Sequence, residues 1–275
     1  MRASLLIVCG LTLGGCAWEP GQGFVVVEPT VRAAYESLSG RDAGDGYQRL
    51  SSDYQLRVDE ASLSLSGIEL ISAGGAGGSF DPANPPAGYS LCHGGHCHRD
   101  DGALIPYEQV TAEMSGGTGS SAVVTLTAGE PWNLLAPETR AVGCEPGCAL
   151  PQTQVSQGRW NIQSMHLTGT VRDARTPARF TGERRFEVEL PAQGSNEPVT
   201  VLSGAVDLPS DRKTPPQAKL DLGLVLTAAL FDAVDFGALI PDDDGVVRLR
   251  TEDRAALVER LAKVSPRAEV SRGQP

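Results

Sequence analysis

Histidine is nearly absent from this chain: four occur among 275 residues. A Ser/His/Asp triad therefore has few possible bases. No nucleophile elbow, phosphate-binding loop or dinucleotide fingerprint is present to suggest another chemistry, so enzymatic activity is not expected. Positive charge is short as well, with 23 Lys and Arg against 34 Asp and Glu, for a formal net charge of −11. An acidic chain repels phosphate backbones, which argues against nucleic acid as a partner. It equally repels anionic lipid. No apolar run reaches the roughly 20 residues that a permanent membrane-spanning helix needs. No Ser/Gly-rich linker divides the chain, so one domain is expected from residue 24 to 266.

What is present begins at the N-terminus. Arg2 supplies a positive start, and Leu5, Leu6, Ile7, Val8, Leu11 and Leu13 make a short apolar stretch. This reads as a signal peptide over residues 1–15. The tetrapeptide Leu13-Gly14-Gly15-Cys16 that follows resembles the lipobox of bacterial lipoproteins. The resemblance implies cleavage before Cys16, acylation of its thiol and often of the new amine, and two or three acyl chains holding the protein at a membrane. Ala17 in place of Asp resembles the outer-membrane pattern. The expected location is the cell envelope, lipid-anchored, with residues 16–23 as a tether. Removing Arg2 with the signal takes the formal charge from −11 to −12.

Six cysteines are present. Cys9 leaves with the signal and Cys16 carries lipid. The remaining Cys92, Cys97, Cys144 and Cys148 imply two disulfides in an exported chain, with three possible connectivities. The close spacings favour Cys92–Cys97 and Cys144–Cys148, and bridges between the two loops are the alternative.

The 32 glycines and 19 prolines lie mostly between short apolar runs, which is punctuation for many turns. From Gln55 to Ile71 apolar residues alternate. Leu56 and Val58 share one phase, Leu63 and Leu65 follow the Asp59-Glu60 interruption, and Ile68 and Leu70 follow Gly67. Period two means strand with one buried face. Further strands are expected at Ala122–Ala128, Asn161–Val171, Ala178–Leu190, Pro198–Leu208, Leu220–Thr227 and Val246–Arg250. Val110–Met114 suggests one helical turn. One helix is expected late in the chain, with Thr251 as N-cap, Glu252 and Asp253 at its positive end, and a stripe of Leu257, Val258 and Leu261. Pro266 stops it, and the tail from Arg267 is expected to fray. The pattern predicts an all-β fold, an antiparallel β-sandwich with one C-terminal helix. Gly-Ala-Leu-Ile-Pro occurs at 102–106 and again at 237–241, which is read as chance.

One segment stands apart. Cys92-His93-Gly94-Gly95-His96-Cys97-His98 holds three of the four histidines. Imidazole is the commonest metal-ligating side chain, and it suits copper and zinc. The two glycines let the backbone turn back on itself. With Cys92 and Cys97 bridged, His93 and His96 would sit in a small closed loop and His98 just beyond it, leaving the imidazoles to carry the metal. Asp100 and Asp101 are candidates to complete or orient the ligand shell, and His166 is a candidate distant ligand. The metal-free alternative is a disulfide loop with solvated histidines. Cys92, Cys97 and His98 also resemble an expanded c-type haem attachment motif, but the spacing differs and a mostly β chain offers no haem crevice.

Other acidic groups read as structural. Asp242-Asp243-Asp244-Gly245 lacks the alternate-position acids of an EF-hand, because Ile240 stands where the first ligand belongs, and it reads as a turn. Asp232 and Asp235 read as caps of short helical turns. Cys144-Glu-Pro-Gly-Cys148 reads as a disulfide staple across a turn. With its lipobox and Cys/His loop, the chain is similar in general appearance to periplasmic metal-binding lipoproteins. The partners expected are a membrane through the lipid anchor, and a metal ion or an envelope protein.

Overall fold

The computed structural model describes residues 25–72, 85–86, 88–93, 96–100, 102–106, 110, 122–150, 155–191, 198–208 and 217–272. The signal, Cys16, the tether, Asp101 and residues 111–114 lie outside them. In chain order the strands are β1 Val25–Tyr35, β2 Gln48–Arg49, β3 Tyr54–Ser72, β4 Tyr89–His93, β5 His96–Arg99, β6 Leu104–Pro106, β7 Ala122–Thr127, β8 Trp132–Asn133 and β9 Thr139–Ala141. They continue as β10 Gly143–Glu145, β11 Ala149–Leu150, β12 Val155–Asp173, β13 Glu183–Leu190, β14 Thr200–Leu208, β15 Gln217–Leu226, β16 Val246–Arg248 and β17 Arg267–Arg272. A 3-10 turn spans Ala228–Phe231, and one α-helix spans Thr251–Leu261. No helix among the described residues is long and apolar enough to cross a membrane.

The fold is an all-β sandwich with one late helix. One sheet has five strands, β11-β1-β15-β17 with β9 also on β1. The other has nine and is built on β3 and β12. These two run antiparallel along their whole lengths, from Tyr54 opposite Asp173 to Ser72 opposite Val155. The far edge of β12 is shared: its first half pairs with β14 and its second half with β13. Sandwich layers need apolar residues on the two facing surfaces. One continuous core supplies them, with Val27, Val31, Leu220 and Leu224 from the five-stranded sheet meeting Leu63, Leu70, Trp160 and Leu167 from the nine-stranded one.

The breaks in apolar alternation along β3 coincide with bulges. The register slips between Thr168 and Gly169 of β12, leaving Asp59 as the extra residue opposite them, and the buried phase moves from Leu56 to Ala61, Leu63 and Leu65. It slips again near Asn161, and the phase returns to Ile68 and Leu70. A one-residue insertion inverts which side chains face the core, so each bulge restores burial after a phase error in the sequence. Gly169 permits the first one. A Cβ there would overlap the Arg57 carbonyl oxygen and come 2.8 Å from the Phe186 ring.

Several expectations need correction. The sandwich is mixed rather than wholly antiparallel, because β1 runs parallel to β15 and β13 parallel to β16. Residues 267–272 do not fray. They form β17, antiparallel to β15, because Ala268 and Val270 pack on the core while Arg267 and Glu269 alternate outward. Arg250, not Thr251, is the N-cap, and it makes no side-chain capping bond. The helix start is instead held by its first-turn acids, with the Arg250 guanidinium 2.8 Å from the buried Asp253 carboxylate. The 102–106 and 237–241 echo takes two conformations, a turn leading into β6 in one case and a turn before β16 in the other. β1 lies outside the expected strands, although Val25, Val27, Val31 and Ala33 alternate inward.

The second disulfide, Cys144–Cys148, has its Cα atoms 5.1 Å apart. Cys144 pairs with Leu126 in the nine-stranded sheet, and the Cys148 carbonyl accepts from the Val27 amide of the five-stranded sheet. The bridge therefore staples the point where the chain passes from one layer to the other.

Candidate metal centre

Strands β4, β5 and β6 form a separate three-stranded sheet, between β3 and β7 in the chain. Cys92 pairs with Cys97 and His93 with His96, on adjacent rungs of the β4–β5 hairpin. Only Gly94 and Gly95 separate the two strands in sequence, which suits the short turn such pairing demands. Gly102, at φ +87°, carries the turn into β6, where its amide donates to the Arg99 carbonyl at 2.8 Å.

Cys92 and Cys97 are bridged, with Cα atoms 4.0 Å apart. That is the close spacing of a non-hydrogen-bonded antiparallel pair, where side chains approach most closely. Cys97 is fully buried and packs with Ile105 and Val110; Tyr89, Cys92 and Ala103 pack against them. Side chains alternate across a strand, so the opposite face carries His93, His96 and His98. The histidines expected in a loop therefore stand on strands, which hold them in register.

On that face one ring nitrogen from each of the three histidines lies within 4.8 Å of those of the other two. His93 Nε2 is 3.2 Å from His98 Nε2. Ring centroids are 4.8 Å apart for His93–His96, 5.2 Å for His93–His98 and 5.4 Å for His96–His98. Leu91 and Leu104 are paired with His98 from either side, and they stand 53% and 59% exposed. Three imidazoles converging from two strands are a donor set for a transition-metal ion. Both Cys92 and Cys97 sulfurs are committed to the disulfide, so neither is available as a thiolate ligand or for a haem thioether.

Among the described residues, neither Asp100 nor His166 is brought to this group. β5 ends at Arg99, so the alternation that aligns His96 with His98 does not carry on to Asp100. Asp100 lies exposed in the turn and donates its amide to the Gly88 carbonyl at 3.0 Å. His166 stands on β12, where its Nε2 is 3.3 Å from Glu187 Oε1. Glu187 also accepts from Arg248, and the His166 hydrogen bond leads these contacts in holding the Glu187 carboxyl below its ordinary range.

The acids read as caps or turns sort differently. Asp242 makes the expected turn, accepting from the Asp244 and Val246 amides, with Gly245 at φ +73°. Asp232 is the C-cap of the 3-10 turn, and the Asp235 carboxylate accepts from the Gly237 amide two residues on. Both cap short turns as expected, but their side chains also take contacts from distant residues. Asp232 takes a two-pronged contact from Arg41 at 2.7 and 2.9 Å and accepts from the Ser51 amide. Burial would raise its pKa, but the Arg41 and Ser51 hydrogen bonds bring it below the usual carboxylate range. Asp235 accepts from the Tyr54 hydroxyl and from Arg179, and these contacts, the Tyr54 bond first, lower its pKa too. Asp173, with a side chain 0% exposed, accepts two bonds from Arg175 at 2.8 and 2.7 Å and one from the Arg179 amide. Arg175 is the leading cause that holds its carboxyl far below the usual range. Arg41 and Tyr54 lie 191 and 181 residues from their acids, so no local sequence pattern could have paired them.

An open cleft of about 800 Å³ crosses the outer face of the five-stranded sheet, lined by Thr30, Arg32, Asp221, Gly223, Arg267 and Glu269 among others. None of the histidines lines it. Compared with protein-family models, with curated proteins and with solved structures, the chain has no match in any of the three.

Proposed function

We propose that this chain is an extracytoplasmic lipoprotein that binds a transition-metal ion, copper or zinc, through His93, His96 and His98. The observation that carries the reading is the convergence of those three imidazoles, with one nitrogen from each within 4.8 Å of the others, on one face of a disulfide-locked hairpin. Nitrogens bound at roughly 2.0–2.1 Å in a tetrahedral zinc site stand about 3.3 Å apart. The His93–His98 pair already stands at 3.2 Å, close to that spacing. Three protein donors leave a position for water or another ligand, as in open zinc sites. The lipobox resemblance at Leu13–Cys16 supports an anchor in the cell envelope, and the disulfides suit an oxidising compartment. The testing experiment is calorimetric titration of tag-free protein with Cu(II) and Zn(II); absence of stoichiometric binding rejects the proposal.

A second reading draws on the two exposed leucines. Leu91 and Leu104 flank the histidine face. An envelope protein partner seated on the hairpin would bury them, and the histidines would then be part of a rigid epitope without metal. Metal content of protein isolated from its own envelope separates the two readings.

A further inference from the structure

The Cys92–Cys97 disulfide and the three imidazoles lie on opposite faces of one hairpin, on adjacent rungs. His93 follows Cys92 and His96 precedes Cys97, so fixing the cysteine rung fixes the histidine rung beside it. Among the described residues the register is otherwise held by the β5–β6 pairing and by contacts at the far end of the hairpin, Asp100 to Gly88 and Arg99 to Tyr89. The sheet has strands of five, four and three residues. Its described core is Cys97, Ile105 and Val110, apart from the main core. Short hairpins are marginal in water without a packed face, and here the disulfide itself is part of the packed face.

We propose that this disulfide is a redox gate on the histidine site, so that oxidation preorganises the three imidazoles for metal and reduction releases them. The inference rests on the metal-binding reading above. Cys92 is the partly buried residue of the pair and Cys97 the fully buried one, so attack is assigned to the Cys92 sulfur. A thiolate of an external dithiol bonds to the Cys92 sulfur, the S–S bond breaks, and Cys97 leaves as a thiolate that takes a proton. The second thiol of the reductant then attacks the mixed disulfide, releasing Cys92 as a thiol and closing the reductant's own disulfide. Two electrons and two protons pass to the protein, and the dithiol is oxidised. The freed thiols point to the face away from the histidines, so they do not replace the lost order around the same ion.

Coupling between two equilibria is reciprocal. If the closed disulfide favours metal, bound metal favours the closed disulfide. Zn(II) is the probe, because it does not oxidise thiols. Its affinity is measured on the oxidised wild-type chain and on the chain with Cys92→Ser and Cys97→Ser together, with circular dichroism to confirm the sandwich in each. In parallel, the disulfide's midpoint is read on the wild type in a glutathione redox buffer, with and without buffered free Zn(II). The expected results are binding at least about tenfold weaker in the double variant, within the usual range of coupling, and a midpoint at least about 30 mV more negative with Zn(II), the same tenfold converted for two electrons. A variant lacking all three imidazoles should show no such shift to negative values. Equal affinities with an unmoved midpoint overturn the gate and leave the metal site standing. A midpoint that rises with Zn(II) means the ion prefers the reduced thiols, and it overturns the gate as well. No Zn(II) binding by the oxidised wild type overturns both proposals.

Discussion

His93 and His98 bring their Nε2 atoms to 3.2 Å across the β4–β5 hairpin. The two residues are five apart in sequence, yet strand pairing turns that separation into a diagonal contact. His93 faces His96 directly, and His98 lies two residues further along the same face. In the absence of an ion one ring donates to the other, which requires different tautomers. A bound cation would replace that hydrogen bond with two coordinate bonds at nearly the same nitrogen separation.

Replacing any two of His93, His96 and His98 with Ala should abolish stoichiometric Cu(II) and Zn(II) binding. Wild-type protein should bind Cu(II) more tightly than Zn(II), following the general order for divalent metals. Calorimetry gives both results, and far-UV circular dichroism should be unchanged because these side chains lie outside the main core. Binding that survives loss of all three imidazoles would sink the site.

Cys16→Ser should release the protein from membranes into the soluble extracytoplasmic fraction. Mass spectrometry of the N-terminal peptide should show acyl chains on wild type and none on the variant. Equal membrane retention of the two would contradict the anchor.

The four cysteines of the two bridges should resist alkylation in native, non-reduced protein. Removing Cys144–Cys148 by paired Ser substitution should cost roughly 2 kcal/mol, the chain-entropy value for so short a loop. Denaturant titration measures it. An unchanged midpoint would mean that the staple between the layers contributes nothing to the folded state.

Gly169→Ala should destabilise the sandwich by about 3 kcal/mol, at the upper end of ordinary overpacking. The added methyl meets the Arg57 carbonyl and the Phe186 ring, neither of which is the free end of a flexible chain. Thermal denaturation is the check, with Gly204→Ala as a second case, since a Cβ there would be 3.3 Å from the Pro266 Cβ and closer to its backbone. A silent Gly169→Ala would contradict the close β3–β12 approach at the bulge.

Stability should fall steeply with acid. The Asp173, Asp232 and Asp235 carboxyls are all held below their ordinary values in the folded chain. A lowered folded pKa adds stability above the unfolded value, near 3.9 for Asp, and that stability is lost as pH falls from there through the folded values. Urea midpoints should therefore be nearly flat from about pH 5 to 7 and drop below about pH 4. Asp173→Asn should destabilise the fold at neutral pH, because the Arg175 guanidinium and the Arg179 amide lose their carboxylate acceptor, and should flatten the acid limb. A variant that keeps the wild-type acid slope would remove Asp173 from the account.

The sequence by itself determined most of the sandwich. Alternation is local, so Leu56, Leu63 and Ile68 announced β3 without reference to any partner strand; that its interruptions are bulges is shown only by the pairing with β12. The crowding of His93, His96 and His98 between cysteines marked the candidate site for the same reason, as all the information lies within seven residues. Tertiary structure decided what depends on distant partners. Whether Cys92 met Cys97 or a cysteine of the other loop is a matter of strand register. Asp100 looked adjacent to the site in sequence, yet the strand ends one residue before it. His166 was engaged by Glu187 across β12 and β13. Asp232 and Asp235 answer to Arg41 and Tyr54 from the far end of the chain. The tail at 267–272 became a strand only because β15 offered it an edge and the core offered Ala268 and Val270 a place. Local periodicity fixes which face of an element is apolar; only the packed chain fixes what that face and its charges will meet.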